Sequence, residues 1–222
     1  MDALVTGANR GIGLEVCRQL IARGDSVVAL CRHSSPQLAE LAAEVTSGVD
    51  LGRPADLAEL ASRLADRRVD ALIHVAGILS KETLGEIDGD AIERIEDQFR
   101  VNALGPVLLT QALLGNFAEG SKVIILTSRM GSIADNSSGG SYGYRMSKAA
   151  VNAAGVSLAR DLAPRGISVG IIHPGYVRTD MTGGQGLIDV DESAAGILKR
   201  LDALSLSSSG GFWHVNGDEL PW

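Results

Sequence analysis

A tyrosine and a lysine four residues apart are the pair in this sequence with the most direct chemical use. Tyr144 and Lys148 lie in residues 141–162, which predict a helix, and a spacing of four places both side chains on one helical face. A phenol has an ordinary pKa of about 10, too high for a base near neutral pH, but an ammonium beside it favours the phenolate. The pair therefore predicts an acid–base device, although the same spacing also occurs on solvated helix faces.

The composition limits the classes of protein to which the chain can belong. It has 222 residues, 45% hydrophobic and 21% charged, as expected of one α/β domain with a full-sized core. A net charge of −7 without a Lys/Arg run disfavours nucleic acid as a partner. Cys17 and Cys31 lack disulfide or metal-ligand spacing, so we expect small buried hydrophobic residues in a reducing compartment. Residues 2–6 predict a strand rather than a signal peptide, and no stretch reaches the ~18 apolar residues of a membrane span, so we expect a cytoplasmic protein.

The first strand, turn and helix predict a phosphate-binding site. Residues 3–6 predict a strand and residues 12–21 a helix, with the glycine-rich segment 7–13 joining them. Glycines let backbone N–H groups approach a phosphate, and the helix N-terminus adds partial positive charge there. The strict Gly-x-Gly-x-x-Gly fingerprint is not present, because Val16 occupies its last position. A purely structural turn is therefore the alternative.

The end of the second predicted strand, residues 26–31, bears on the choice of cofactor. Sites that prefer NAD usually place an acidic residue there, whereas a basic residue accommodates the 2′-phosphate of NADP. This chain has Arg32 at that position and a second cation, Arg10, in the glycine-rich turn. The sequence therefore predicts a preference for NADP(H), with a solvated strand-end arginine as the alternative.

Strands and helices alternate along the remaining sequence. Further strands are predicted at residues 48–51, 69–75, 122–127, 167–173 and 212–215, and helices at 34–45, 56–67, 90–118 and 191–204. This alternation predicts a single doubly wound parallel sheet of about seven strands with helices on both faces, in one domain over residues 1–222.

Polar residues interrupt this pattern at two places of chemical interest. Asp90 and Glu93 have N-cap and N3 spacing at the start of the long helix, and Asn102 lies inside it just before Gly105-Pro106. Asn102 predicts either a local helix distortion or a satisfied core amide. Ser128 follows the fifth strand, where the ligand crevice of an open parallel sheet lies.

Several of these features together carry a resemblance to a known family. The matching elements are Thr6-Gly7-x-x-x-Gly11-x-Gly13, Asn102, Ser128, Tyr144-x-x-x-Lys148 and Pro174-Gly175-x-Val177-x-Thr179. In this order they resemble the short-chain dehydrogenase/reductase family over essentially the whole chain. The Asp50-Leu51 pair resembles the family's adenine contact, and the loop 131–140 with the C-terminal segment resembles the C-factor-like carbonyl reductases.

Two departures from the family pattern limit which residue roles can be transferred to this chain. His74-Val75-Ala76-Gly77 replaces the family's Asn-Asn-Ala-Gly element, so the role of those asparagines is not transferred. Tyr144 follows Ser128 by 16 residues, a longer step than the family usually has, which leaves Ser132 as an alternative catalytic serine. Tyr142 lies six residues before Lys148, roughly 240° away around the helix, and is disfavoured as the catalytic tyrosine.

The resemblance implies a Rossmann-type fold and NADPH-dependent reduction of an aldehyde or ketone to an alcohol. It implies that Tyr144 transfers the proton, that Lys148 lowers the pKa of Tyr144 and binds the nicotinamide ribose, and that Ser128 donates a hydrogen bond to the substrate oxygen. Asn102 resembles the residue that holds a water for proton relay. The residues expected to bind the cofactor are Gly7, Asn9, Arg10, Gly11, Ile12, Gly13, Arg32, Asp50, Leu51, Ala76, Gly77, Tyr144, Lys148, Pro174, Gly175, Val177 and Thr179.

The same resemblance leaves partners and alternatives to consider. The expected partner is a small-molecule carbonyl or alcohol, admitted by a short glycine-rich loop at about residues 176–190, and the expected assembly is a homodimer or homotetramer. A non-catalytic NADP(H)-binding sensor on the same fold is the main alternative function. A sugar-nucleotide epimerase or dehydratase is disfavoured, because only about fifty residues follow Pro174.

Overall fold

A computed structural model describes all residues, Met1–Trp222, and contains one seven-stranded parallel sheet. The strands are β1 (Asp2–Thr6), β2 (Ser26–Leu30), β3 (Glu44–Thr46), β4 (Val69–His74), β5 (Phe117–Leu126), β6 (Ser168–His173) and β7 (Phe212–His214). The helices are α1 (Gly11–Ala22), α2 (Pro36–Ala39), α3 (Pro54–Arg63), α4 (Gly89–Phe99), α5 (Gly105–Ala112), α6 (Tyr142–Leu162) and α7 (Val190–Ala203). The predicted doubly wound, Rossmann-type sheet is confirmed.

The strand order β3-β2-β1-β4-β5-β6-β7 places the ligand crevice. The chain moves outward from β1 to β3 and then returns to the other side of β1 with β4. Such a reversal opens a crevice at the carboxyl ends of the two central strands. The glycine-rich turn follows β1, so it lies at this point of the sheet.

Two apolar layers bury the sheet on both faces. Successive side chains of a strand point to opposite faces, so Leu4 packs on the side of α3 and α5 while Val5 packs on the side of α1 and α7. The long helix α6 approaches its strand closely at Gly155, where a Cβ would lie 2.7 Å from the Ile171 side chain. The sheet therefore fixes the height and rotation of the helix that carries Tyr144.

The region between β2 and α3 differs from the prediction. The helix predicted at residues 34–45 is the single turn α2, which Ser35 caps and Pro36 begins. The strand predicted at 48–51 is wrong, because β3 lies earlier, where Val45 and Thr46 pair with β2. These β-branched residues favour extended backbone, and Gly48, with φ +82°, follows in a left-handed conformation.

The helix predicted at residues 90–118 is divided into three parts. Asp88 is the N-cap of α4 and accepts a hydrogen bond from the Ala91 N–H, so the capping prediction for Asp90 and Glu93 was wrong. The distortion predicted around Asn102 is confirmed as a π-helical turn over Arg100–Leu104. The helix ends with α5, and residues 117–118 already belong to β5.

The remaining predicted elements agree with the structure within about four residues at each end, except that β5 begins five residues before the predicted strand. None of the helices combines the length and the apolar character that crossing a membrane requires.

Candidate active site

A cavity of about 630 Å³ lies at the carboxyl ends of the central strands. Thr6 of β1, Leu30 of β2 and Leu126 of β5 contribute to its walls, together with residues that follow β4 and β6. The loop predicted at about residues 176–190 forms part of the opposite wall through Arg178, Asp180 and neighbouring residues. The volume of the cavity is in the range of cofactor and small-molecule sites.

All but two of the residues predicted to bind the cofactor line this cavity. They are Gly7, Asn9, Arg10, Gly11, Ile12, Gly13, Arg32, Asp50, Leu51, Ala76, Gly77, Tyr144, Lys148, Pro174 and Thr179. The other two, Gly175 and Val177, do not line it. Val177 is buried and forms a β-bridge with Ile188, and a Cβ on Gly175 would lie 2.6 Å from the Ile188 side chain. Both residues therefore hold the loop in place through Ile188 without lining the cavity.

The glycine-rich turn has the backbone geometry of a phosphate cradle. A Cβ on Gly13 would lie 2.2 Å from the Gly7 carbonyl oxygen, and Gly7 itself has φ +65°. Arg10 at the N-cap of α1 makes no side-chain hydrogen bond to the first helical turn. The N–H groups of that turn are thus left for an anion, and the residues fit the pyrophosphate of a dinucleotide.

The two predicted cations differ in their partners. Arg32 is exposed and makes no ion pair, so its guanidinium is available to a ligand. Arg10 instead donates to Asp180 at 3.1 Å, and both side chains are exposed. An exposed ion pair contributes only about 0–1 kcal/mol, so a phosphate could replace this carboxylate.

Tyr144 and Lys148 are both buried, and both line the cavity. The Lys148 Nζ lies 5.7 Å from the centroid of the Tyr144 ring and donates to the Leu126 carbonyl at 2.9 Å. Burial raises the pKa of Tyr144 to about 12, although the neighbouring Ser128 hydroxyl acts in the opposite direction. Burial lowers the pKa of Lys148 to about 8. The net shift of the Tyr144 pKa is therefore upward, opposite to the expected lowering, because desolvation is its largest cause.

The two candidate serines occupy different environments. The Ser128 hydroxyl lies beside Tyr144, and its oxygen accepts from the Met130 N–H at 3.1 Å. Ser132 is 2% exposed, and its hydroxyl donates to the main-chain oxygen of Trp222 and accepts from the Asp135 N–H, both at 3.1 Å. Ser132 thus holds the C-terminal segment against the loop, and Ser128 is the serine that faces the tyrosine.

Asn102 links the loop after β4 to the catalytic helix. Its side-chain amide accepts from the Ile78 N–H and donates to the Ile78 carbonyl, both at 2.8 Å, and it donates to the Ser147 hydroxyl at 3.0 Å. A Cβ on Gly77 would lie 3.2 Å from the Asn102 Oδ1 and 3.6 Å from the Lys148 Nζ. The absence of a side chain there leaves these two polar groups facing a common space.

Two threonine hydroxyls, to which the sequence motifs assigned no role, also shape the site. The Thr6 hydroxyl oxygen accepts from the Val75 and Ala76 N–H groups at 3.0 and 3.1 Å, which fixes the end of β4 against β1. The Thr127 hydroxyl donates to the Asn152 side chain at 2.6 Å, which joins the end of β5 to α6. A threonine that ends an apolar strand was the available signal for both.

Comparison with known proteins agrees with this geometry. The sequence model of a family described as short chain dehydrogenase matches residues 2–186. The chain belongs to this short chain dehydrogenase family. It is 41% identical over 225 residues to 1-hydroxy-2-glutathionyl-2-methyl-3-butene dehydrogenase of Rhodococcus sp. (strain AD45), covering 99% of this chain and 98% of that protein.

Two further similarities bear on function within the short chain dehydrogenases. The C-signal protein of Myxococcus xanthus is 42% identical over 157 residues, 69% of this chain and 93% of that protein. The crystal structure of an NADPH-bound carbonyl reductase from chicken fatty liver superposes with a TM-score of 0.90 at 30% identity, covering 100% of this chain and 98% of that one.

Proposed function

We propose that the protein is an NADPH-dependent oxidoreductase that reduces an aldehyde or ketone to an alcohol. The observation that carries this proposal is a buried Tyr144, flanked by Ser128 and Lys148, in the wall of a cavity of dinucleotide size. Similarity to an NADPH-bound carbonyl reductase and to a dehydrogenase supports the same reaction class.

The proton for the reaction would come from Tyr144. With a pKa of about 12, its phenol is protonated at neutral pH, which suits donation to a developing alkoxide. When bound, the reduced nicotinamide supplies hydride to the carbonyl carbon. The Ser128 hydroxyl would donate a hydrogen bond to the same substrate oxygen, an interaction that strengthens as negative charge grows there.

Lys148 would stabilise the phenolate that remains after proton donation. Its ammonium has three donors, one of which the Leu126 carbonyl accepts, so two remain for the cofactor ribose and for a proton relay. We infer that Asn102 supports this relay, since its Oδ1 and the Lys148 Nζ face one space beside Gly77. In the oxidation direction Tyr144 would act as base, which favours alkaline pH.

The glycine-rich turn and the two arginines would select NADPH over NADH. The first turn of α1 would hold the pyrophosphate, and the exposed, unpaired Arg32 would hold the 2′-phosphate. Arg32→Ser is expected to weaken NADPH binding about tenfold while leaving NADH binding unchanged. Fluorescence titration of both cofactors measures this, and equal losses for the two would contradict the assignment.

Absorbance of the reduced nicotinamide tests the reaction itself. Wild-type protein is mixed with NADPH or NADH and a panel of aldehydes, ketones and quinones, beside Tyr144→Phe and the matched control Tyr142→Phe. If wild type and Tyr142→Phe consume NADPH and Tyr144→Phe does not, the proposal is supported. Substantial turnover by Tyr144→Phe would contradict it.

A non-catalytic, NADPH-binding signalling protein is the second candidate function, because one similar protein is named C-signal. A sensor that binds NADPH without reducing a carbonyl would show intact NADPH titration and no consumption across the panel. The retained Tyr144 and Lys148 favour the enzyme. Assembly as a homodimer or homotetramer and a cytoplasmic location stay predictions, the first of which sedimentation velocity can test.

A further inference from the structure

A buried carboxylate outside the predicted site lies next to the start of the catalytic helix. Glu82 belongs to the loop between β4 and α4 and is only 6% exposed. It makes no ion pair with any lysine, arginine or histidine. A charge buried without a cation is costly, so other groups must stabilise it.

Three hydrogen-bond donors surround this carboxylate. The Ser80 hydroxyl and the Gln98 side-chain amide donate to Oε1, the amide at 3.0 Å. The backbone N–H of Gly143 donates to Oε2 at 2.9 Å. Gln98 is itself fixed, because its Oε1 accepts from the Ser80 N–H at 2.9 Å and its Nε2 also donates to the Ser80 hydroxyl at 2.9 Å.

The Glu82 carboxylate takes the place of the missing cap of α6. Ser141 at the N-cap has φ +48° and makes no side-chain hydrogen bond to the first turn. Glu82 supplies an acceptor there from a distant segment, and its own carbonyl accepts from the Ser141 N–H at 3.1 Å. Its negative charge also lies at the positive end of a 21-residue helix.

Only a carboxylate satisfies all three donors. A glutamine at this position would offer one acceptor oxygen and one NH₂ group. If its oxygen faced Ser80 and Gln98, its NH₂ would face the Gly143 N–H, and the opposite orientation would set it against the Gln98 amide. Either arrangement leaves two donors opposed in a buried place, which destabilises the first turn of α6.

We propose that Glu82 is a positioning residue for Tyr144. The Gly143 N–H that it binds belongs to the residue directly before Tyr144, in the first turn of α6. A Cβ on Gly143 would lie 2.5 Å from the Gln98 side chain, so the turn is packed against α4 on the same side. Glu82 thereby sets the direction of the phenol toward the substrate. This inference rests on the proposed carbonyl reduction.

The test compares Glu82→Gln and Glu82→Ala with the matched control Glu86→Gln. Glu86 lies in the same loop, is exposed and makes no side-chain hydrogen bond. Fluorescence titration with NADPH counts the binding sites and gives the Kd, and kcat is expressed per NADPH-binding site. Hydrogen exchange of the segment 141–148, followed by mass spectrometry, reports the first turn of α6 without any need for turnover.

Both Glu82 variants are expected to lose about tenfold or more in kcat per site while the Kd for NADPH stays within about twofold. Their exchange should accelerate in 141–148 and stay unchanged in the α1 segment 11–22, and Glu86→Gln should match wild type throughout. A merely structural role predicts fewer NADPH sites with unchanged kcat per site, and this result would overturn the proposal. Exchange equal to wild type in both variants would also overturn it.

The two proposals fail in different ways. Wild-type protein that consumes no NADPH with any carbonyl refutes the proposed function, and the exchange of 141–148 then decides alone whether Glu82 fixes the first turn of α6. Turnover by wild type with equal kcat per site in Glu82→Gln refutes only the role of Glu82.

Discussion

Acid should destabilise this protein through its buried imidazoles, and His74 is the more deeply buried of the two whose pKa burial lowers to about 3, the other being His173. His74 ends β4 and is 1% exposed. Its Nε2 lies 3.1 Å from the Thr110 hydroxyl, and its Nδ1 has no hydrogen-bond partner. Burial lowers the pKa of His74 from 6.5 to about 3. The folded protein therefore holds a neutral imidazole far below the pH at which the unfolded chain protonates it.

The sign and size of the effect follow from proton linkage. Between pH 6.5 and about pH 3 the unfolded chain binds a proton at His74 that the folded chain does not, so stability falls as the pH drops through this window. Each pKa unit corresponds to about 1.4 kcal/mol. Through His74 the free energy of unfolding should thus lose about 2 kcal/mol at pH 5 and at most about 5 kcal/mol near pH 3.

Urea unfolding at pH 7.5 and pH 5 measures this loss in wild type, His74→Asn and a control, His33→Asn. His33 is exposed at the end of β2, so water solvates it in both the folded and the unfolded state. Each protein is compared with itself at the two pH values, which removes the cost of the substitution. His74→Asn should lose about 2 kcal/mol less than wild type between the two pH values, and His33→Asn should behave as wild type. An equal loss in His74→Asn and wild type would refute the reasoning.

Three further outcomes are expected. Carbonyl reduction should slow as the pH rises through about 8, because Lys148 loses its proton there; a pH–rate profile that stays flat to pH 10 would contradict this. Gly13→Ala should abolish NADPH binding measured by calorimetry, because its Cβ would lie 2.2 Å from the Gly7 carbonyl oxygen, whereas Gly115→Ala, with nothing within 4 Å, should bind normally. Asn102→Leu should lower the free energy of unfolding by about 2–4 kcal/mol, because the Ile78 N–H and carbonyl lose their partners. Unchanged urea midpoints in Asn102→Leu would show that water replaces the amide.

The parts of the fold that the sequence predicted are those with strong periodicity. Buried parallel strands such as β4 and β6 are nearly continuous apolar runs, and α6 is long, so their positions were read within a few residues. The prediction of β3 failed because a strand of three residues at a sheet edge has little hydrophobic periodicity. Its pairing with β2 decides its conformation. Short elements depend on tertiary contacts that no local window contains.

The residues of the site also fall into those that the sequence could predict and those that it could not. Residues held in motifs of fixed spacing, such as Tyr144 with Lys148 and Gly7 with Gly13, come together around one cavity as expected. Glu82 could not be found by spacing, because it reaches Gly143 across 61 positions of the chain. Glu82 is recognised because its charged side chain is buried, and burial is known only from the packed structure.

The pKa values also required the structure, and they change the chemical interpretation of the Tyr144–Lys148 pair. From spacing alone, the lysine should lower the pKa of the phenol and prepare a base. In the structure both groups are buried, and desolvation favours the neutral form of each, giving pKa values of about 12 and about 8. At pH 7 this combination is a neutral phenol beside a charged ammonium. That is the protonation state required to donate a proton to an alkoxide and to stabilise the phenolate left behind, so it suits the reduction step of the proposed reaction at neutral pH.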